Sequence, residues 1–65
     1  MVKVTHVPYY GYGKDYYHVT SHTDYNTVSW WMRENGVEYA LQASGSNGYG
    51  FTVKTNVDWF RLKWV

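Results

Sequence analysis

From Tyr25 onward, apolar side chains recur at every second residue, and three short breaks rich in glycine and asparagine cut the recurrence into runs. In "YNTVSWWMR", Val28, Trp30 and Met32 alternate with Thr27, Ser29, Trp31 and Arg33. "VEYALQAS" sets Val37, Tyr39, Leu41 and Ala43 against Glu38, Ala40, Gln42 and Ser44. "YGFTVKT" sets Tyr49, Phe51 and Val53 against Thr52 and Lys54, and "DWFRLKWV" sets Phe60, Leu62 and Trp64 against Trp59, Arg61 and Lys63. Period two is the spacing at which successive side chains leave a strand on opposite faces. Asn35-Gly36 suits a tight hairpin turn, because both central residues there need positive φ. Gly45-Ser46-Asn47-Gly48 reads as a second turn and Asn56 as a third.

The pattern predicts a four-strand antiparallel meander from about Tyr25 to Val65, with "VKVTHV" and "YYHVT" adding two strands in front of it. β-branched and aromatic residues dominate, and no capped 3.6-residue stripe is evident, so helix is not expected. Strands with one apolar face must cover one another. The expected fold class is therefore all-β: a small antiparallel β-sandwich of about six short strands, as two three-stranded sheets, with a partly closed β-barrel as the alternative. The predicted core is Val28, Trp30, Met32, Val37, Tyr39, Leu41, Phe51, Val53, Phe60, Leu62 and Trp64. Lys3, Pro8 and the glycines are expected to guard the sheet edges.

The chain has 65 residues, which makes residues 1–65 a single domain. A domain of this size buries only about 60% of the surface its unfolded chain exposes. Small folds of this kind use disulfides, metals or oligomerisation as staples. There is no cysteine, so disulfides and thiolate metal cages are excluded, and a homodimer is one staple left. The other is ring mass: four Trp, eight Tyr and two Phe make 22% of the chain. Each ring buries about 150–250 Å² and adds pair geometry.

Formal net charge is +1, too small to imply a polyphosphate partner on its own. No apolar run approaches the roughly 20 residues of a membrane-spanning helix. Met1-Val-Lys-Val does not begin a signal peptide, so the chain is either cytoplasmic, with Met1 its native start, or the mature form of a secreted protein.

His18, His22 and Asp24, with His6 further off, form the one grouping with metal-like residue types. His-x3-His places two ligands on one face of a helix, but in strand and turn its spacing carries no information. The expected metal and cofactor content is none. No nucleophile has a visible base and orienting partner, and no paired carboxylates stand out, so the chain does not read as an enzyme. "NGYGFTVK" resembles the stacking strand of cold-shock and RNA-recognition domains, in which rings stack bases beside cations. It gives an alternative function, a single-stranded nucleic-acid binder using Tyr49, Phe51, Trp59 and Lys54.

"GYGKDYYHVTSHTDYNTV", Gly11 to Val28, resembles the front of the lactococcin 972 family of bacteriocins. Those chains also carry an aromatic-glycine start, a Tyr-Tyr-His or Tyr-His step, and a His/Ser/Thr stretch ending in a Thr/Ser-Val strand. Asn35-Gly36, "GYGFTVKT" and "WFRLKW" stand where that family has a turn and its last strands. The resemblance implies a secreted protein of two packed three-stranded sheets. It also implies an antibacterial role, binding the cell-wall precursor lipid II and blocking septum formation. No functional residue of the family is carried over.

The rings outnumber the places a small core offers. Tyr9, Tyr10, Tyr12, Tyr16, Trp31 and Trp59 are expected at the surface, where with Lys14, Arg33, Arg61 and Lys63 they would bind an envelope ligand or the membrane surface of a target bacterium. Cations of this kind hold a pyrophosphate. A third function, a phage or host protein-protein interaction module, follows from the same ring-and-arginine surface.

Overall fold

A computed structural model describes residues 2–8, 11 and 13–65. The expectations placed on Tyr9, Tyr10 and Tyr12 lie outside the described residues. The chain runs β1 (Thr5–His6), β2 (Tyr16–Val19), α1 (His22–Glu34), β3 (Tyr39–Gly45), β4 (Gly48–Val53) and α2 (Val57–Trp64). The strands form one sheet in the order β1-β2-β4-β3, every neighbouring pair antiparallel. The expected antiparallel β structure is there, and the sheet is not a closed barrel. The second layer is two helices where a second three-stranded sheet was expected.

The correction has a local cause. Strand and helix periods both place residues i and i+4 on one side, and they disagree about i+2 and i+3. Val28 and Met32 satisfy either period and are fully buried. Trp30, between them, is 62% exposed, because a helix turns it away from the core. The same holds in α2, where Phe60 is fully buried and Trp64 half-buried while Leu62 between them is 86% exposed.

Capping decides α1. Ser21 lies in extended backbone, and its Oγ accepts a hydrogen bond from the Asp24 amide at 3.0 Å, satisfying one of the helix's orphan donors. Asp24 in the first turn and Arg33 in the last complement the helix dipole. Gly36, at φ +69°, ends the helix just past its Asn35 cap, so Asn35-Gly36 is a helix terminus rather than a hairpin. Tyr25, Val28, Ser29 and Met32 form the inward stripe. Ser21→Ala should cost about 1 kcal/mol, read as a lower urea midpoint with unchanged slope.

The β3–β4 hairpin turns through Ser46 and Asn47 as the sequence suggests, with Gly45 opposite Gly48. A bulge at Gln42 shifts the register, so that Leu41 pairs with Phe51 and Ala43 with Gly50. Tyr17, Val19, Phe51 and Val53 face the helices and meet Val28, Met32, Val37 and Phe60 in the core. Its centre is three rings: Tyr17 and Phe60 lie 4.9 Å apart, Phe51 and Phe60 5.9 Å, and Tyr17 and Phe51 6.3 Å. Burial pushes the Tyr17 phenol above its ordinary pKa, and its hydroxyl finds no hydrogen-bond partner among the described residues. Of the predicted core, Trp30, Leu41 and Leu62 are exposed and Tyr39 is half-buried, while Val4, Tyr16, Tyr17 and Val19 are buried without having been expected there.

Candidate docking surface

α2 carries its apolar residues on more than one side. Val57, Phe60 and Trp64 turn inward, yet Trp59 is 58% exposed, and Leu62 and Val65 are exposed as well. Single exposed leucines are ordinary, but a contiguous apolar group ringed by polar residues is not. Trp31, Asn35, Trp59, Leu62 and Lys63 line a groove of about 340 Å³ between the two helices. Asp58, Arg61, Leu62 and Val65 line a neighbouring hollow, so the two depressions share Leu62.

The groove wall is held in place. Trp31 meets Trp64 edge to face, with centroids 6.0 Å apart and planes at 88°. The Asn35 side-chain amide donates to the Trp31 carbonyl at 2.9 Å, tying the end of α1 to the ring it presents. Lys63 Nζ lies 5.4 Å from the centre of the Trp64 ring, within the range of a cation-π contact. Arg61 and Lys63 are exposed on the rim.

The structure thus brings together Trp31, Trp59, Arg61 and Lys63 from the residues the sequence nominated. It separates the others. Arg33 leaves α1 about 160° from Trp31 at 100° per residue, and its Nε donates to the Tyr39 hydroxyl at 3.2 Å. Lys14 is exposed in the turn before β2, where its carbonyl oxygen contacts His6 Nε2. Tyr16 is a correction. It is buried on the sheet face away from the helices and covers Gly50, which has no side chain to keep it off. Leu62, Val65 and Asn35 were not nominated. Leu62 was assigned to the core by strand parity, and only a helical reading of 57–64 exposes it.

The aromatic strand proposed to stack bases is engaged elsewhere. Phe51 is fully buried, and Tyr49 stacks on Tyr25 at 4.9 Å with the planes 12° apart. Burial, with Tyr39 alongside, holds the Tyr25 phenol above its ordinary pKa. His22 Nδ1 lies 3.1 Å from the Tyr49 hydroxyl, and its Nε2 is 3.2 Å from Asn26 Nδ2, while His6 stacks on Tyr17. Among the described residues no group of three or more His, Cys, Asp or Glu side chains is placed to hold a metal ion, and no helix is long and apolar enough to cross a membrane. A further hollow on the helix-free sheet face, lined by Tyr16, His18, Ala43, Gly48 and Gly50 among others, brings no acid-base pair together among the described residues. No protein-family model, curated protein or solved structure matches the chain.

Proposed function

We propose that this protein is a non-catalytic binding module that docks a partner protein on α2 and the adjoining Trp31. The observation that carries this reading is the shared exposure of Trp59, Leu62 and Val65 beside the Trp31 groove, with Arg61 and Lys63 at its rim. Tryptophan and arginine are over-represented among the side chains that dominate binding energy, and a groove of this size accepts one or two apolar side chains. The cations favour acidic residues flanking that anchor. The fitting ligand is a short amphipathic segment with an apolar anchor followed by Asp or Glu.

A peptide-display selection on the immobilised protein tests this, run in parallel on Leu62→Asp. Acidic segments with an apolar anchor should be recovered on the wild type and lost on the variant. For a synthetic copy, Trp59→Ala should weaken affinity by about 30-fold or more, the equivalent of about 2 kcal/mol. Recovery of nothing, or of one set on both proteins, would sink the reading. The variant should keep its fold: Leu62 has little burial to lose, and an aspartate in the last turn of α2 costs about 1 kcal/mol through helix propensity and the dipole.

A second reading keeps the envelope target implied by the bacteriocin resemblance. Its support is that Trp59, Arg61 and Lys63 share one exposed helix with Leu62 and Val65, a composition that suits the lipid-water interface. A blue shift of tryptophan emission on phosphatidylglycerol vesicles, strengthened by added lipid II and absent in Leu62→Asp, would favour it over peptide docking.

A further inference from the structure

Among the described residues β3 is a terminal strand with no neighbour on its outer side. The sheet order leaves it hydrogen-bonded only to β4, and every residue from Leu41 to Gly45 is exposed. The Lys54 amide donates to the Glu38 carbonyl at 2.7 Å, so the backbone groups of Glu38 and, by alternation, Ala40 aim at β4. Those of Tyr39 and Leu41 aim outward.

Exposed edges in monomeric proteins are guarded by lysine, proline, shortness or a bulge. The opposite edge, β1, is two residues long, with Lys3 before it and Pro8 after it. β3 is seven residues long and contains no charge and no proline, and the uncharged stretch extends from Tyr39 through Val53. Its one guard is the bulge at Gln42.

We infer that β3 pairs antiparallel with β3 of a second copy of this chain, joining two sheets into one across a two-fold axis. A second copy fits better than an unrelated strand on two counts. The edge is electrically neutral, so setting it against itself brings no like charges face to face. It is also uneven in size, with Tyr39 at one end of the strand and Ser44 and Gly45 at the other. Antiparallel pairing lays the large end of each strand along the small end of the other.

The bulge selects the register. Tyr39 and Leu41 share the helix side with Val53 and Phe51, and beyond the bulge Ser44 shares it with Tyr49, while Ala40 and Ala43 lie on the other side with Thr52 and Gly50. A slip of one residue would put helix-side residues opposite residues of the wrong face. The matching two-fold register sets Tyr39 opposite Ser44 and Ala40 opposite Ala43 of the other copy.

The absence of native cysteine makes the register directly testable. Ala40→Cys and Ala43→Cys proteins, mixed under mild oxidant, should form the 40–43 cross-link in preference to either homodimer. Sedimentation of the unmodified chain should show its mass doubling as concentration rises. Ala43→Lys, at an exposed position, should lose the dimer while keeping the melting curve that the wild type shows when dilute and monomeric. A single monomeric species up to millimolar concentration would overturn the inference. So would cross-linking without preference, or an Ala43→Lys protein that dimerises like the wild type. A monomer whose β3 amides gain exchange protection only with another protein present would assign the edge to a foreign strand and equally defeat it.

Discussion

Phe60→Ala should leave the chain close to unfolded at physiological temperature, while Leu62→Ala, two residues along the same helix, should leave it almost untouched. Truncating a buried phenylalanine to alanine costs about 3–5 kcal/mol, the transfer free energy plus the cavity left behind. Phe60 is fully buried, and both its ring neighbours, Tyr17 and Phe51, are fully buried as well. At about 0.05–0.15 kcal/mol per residue, a domain of this length holds only about 3–10 kcal/mol in total. The core has little to close the gap with, since its other buried members are two rings, short β-branched valines and one methionine. With a shift of about 4–8 °C per kcal/mol for a domain of this size, the melting midpoint should fall by at least about 12 °C.

The paired design makes the result informative about the fold as well as about stability. If 57–64 were a strand, Phe60 and Leu62 would share its inner face, and the two truncations would cost similar amounts. In the helix only Phe60 is inside, and Leu62 at 86% exposure has almost no burial to lose. Urea denaturation followed by circular dichroism measures both. Near-equal losses would refute the helical packing of α2, and with it the docking surface built on Leu62.

That ambiguity also explains what was legible in the sequence. Gly45-Ser46-Asn47-Gly48 reads as a turn because small and asparagine residues there leave the chain few alternatives, and the hairpin around it is present. Phe51 and Val53 were placed in the core because a genuine strand obeys parity. The helices were missed because their inward residues, Val28 with Met32 and Phe60 with Trp64, are four apart and fit both periods. The deciding signs were small ones: Ser21 three residues before Asp24, and glycine at the far end of α1. The docking surface was half legible for the same reason. Trp59, Arg61, Lys63 and Val65 fall outside the core under either period, whereas Leu62 joins them only on a helix. Tyr16 escaped because nothing local announces that its ring lies over a glycine on the next strand.

Gly48→Ala should be strongly destabilising, and Gly45→Ala should be close to neutral although the two residues pair directly. Gly48 has φ +114°, a conformation that side-chain-bearing residues adopt only at a cost of about 1–3 kcal/mol. An added Cβ would also sit 2.5 Å from the Val19 carbonyl oxygen and 2.8 Å from two atoms of the His18 ring. The imidazole can swing aside, but the carbonyl cannot, because Val19 is fixed in β2 by its pairing with Tyr49 on β4. Relief therefore requires β2 and β4 to part at the end where they join, disturbing the sheet that carries Tyr17 and Phe51. Gly45 has neither problem: its φ is not positive, and nothing lies within 4 Å of the position a Cβ would take. Removing the ring separates the two sources of strain. His18→Ala combined with Gly48→Ala should recover only a minor part of the lost stability in urea denaturation, since the backbone conflict with Val19 remains. Full recovery in the double variant would mean that the ring alone sets the limit and that β2 can yield, contrary to the packing described.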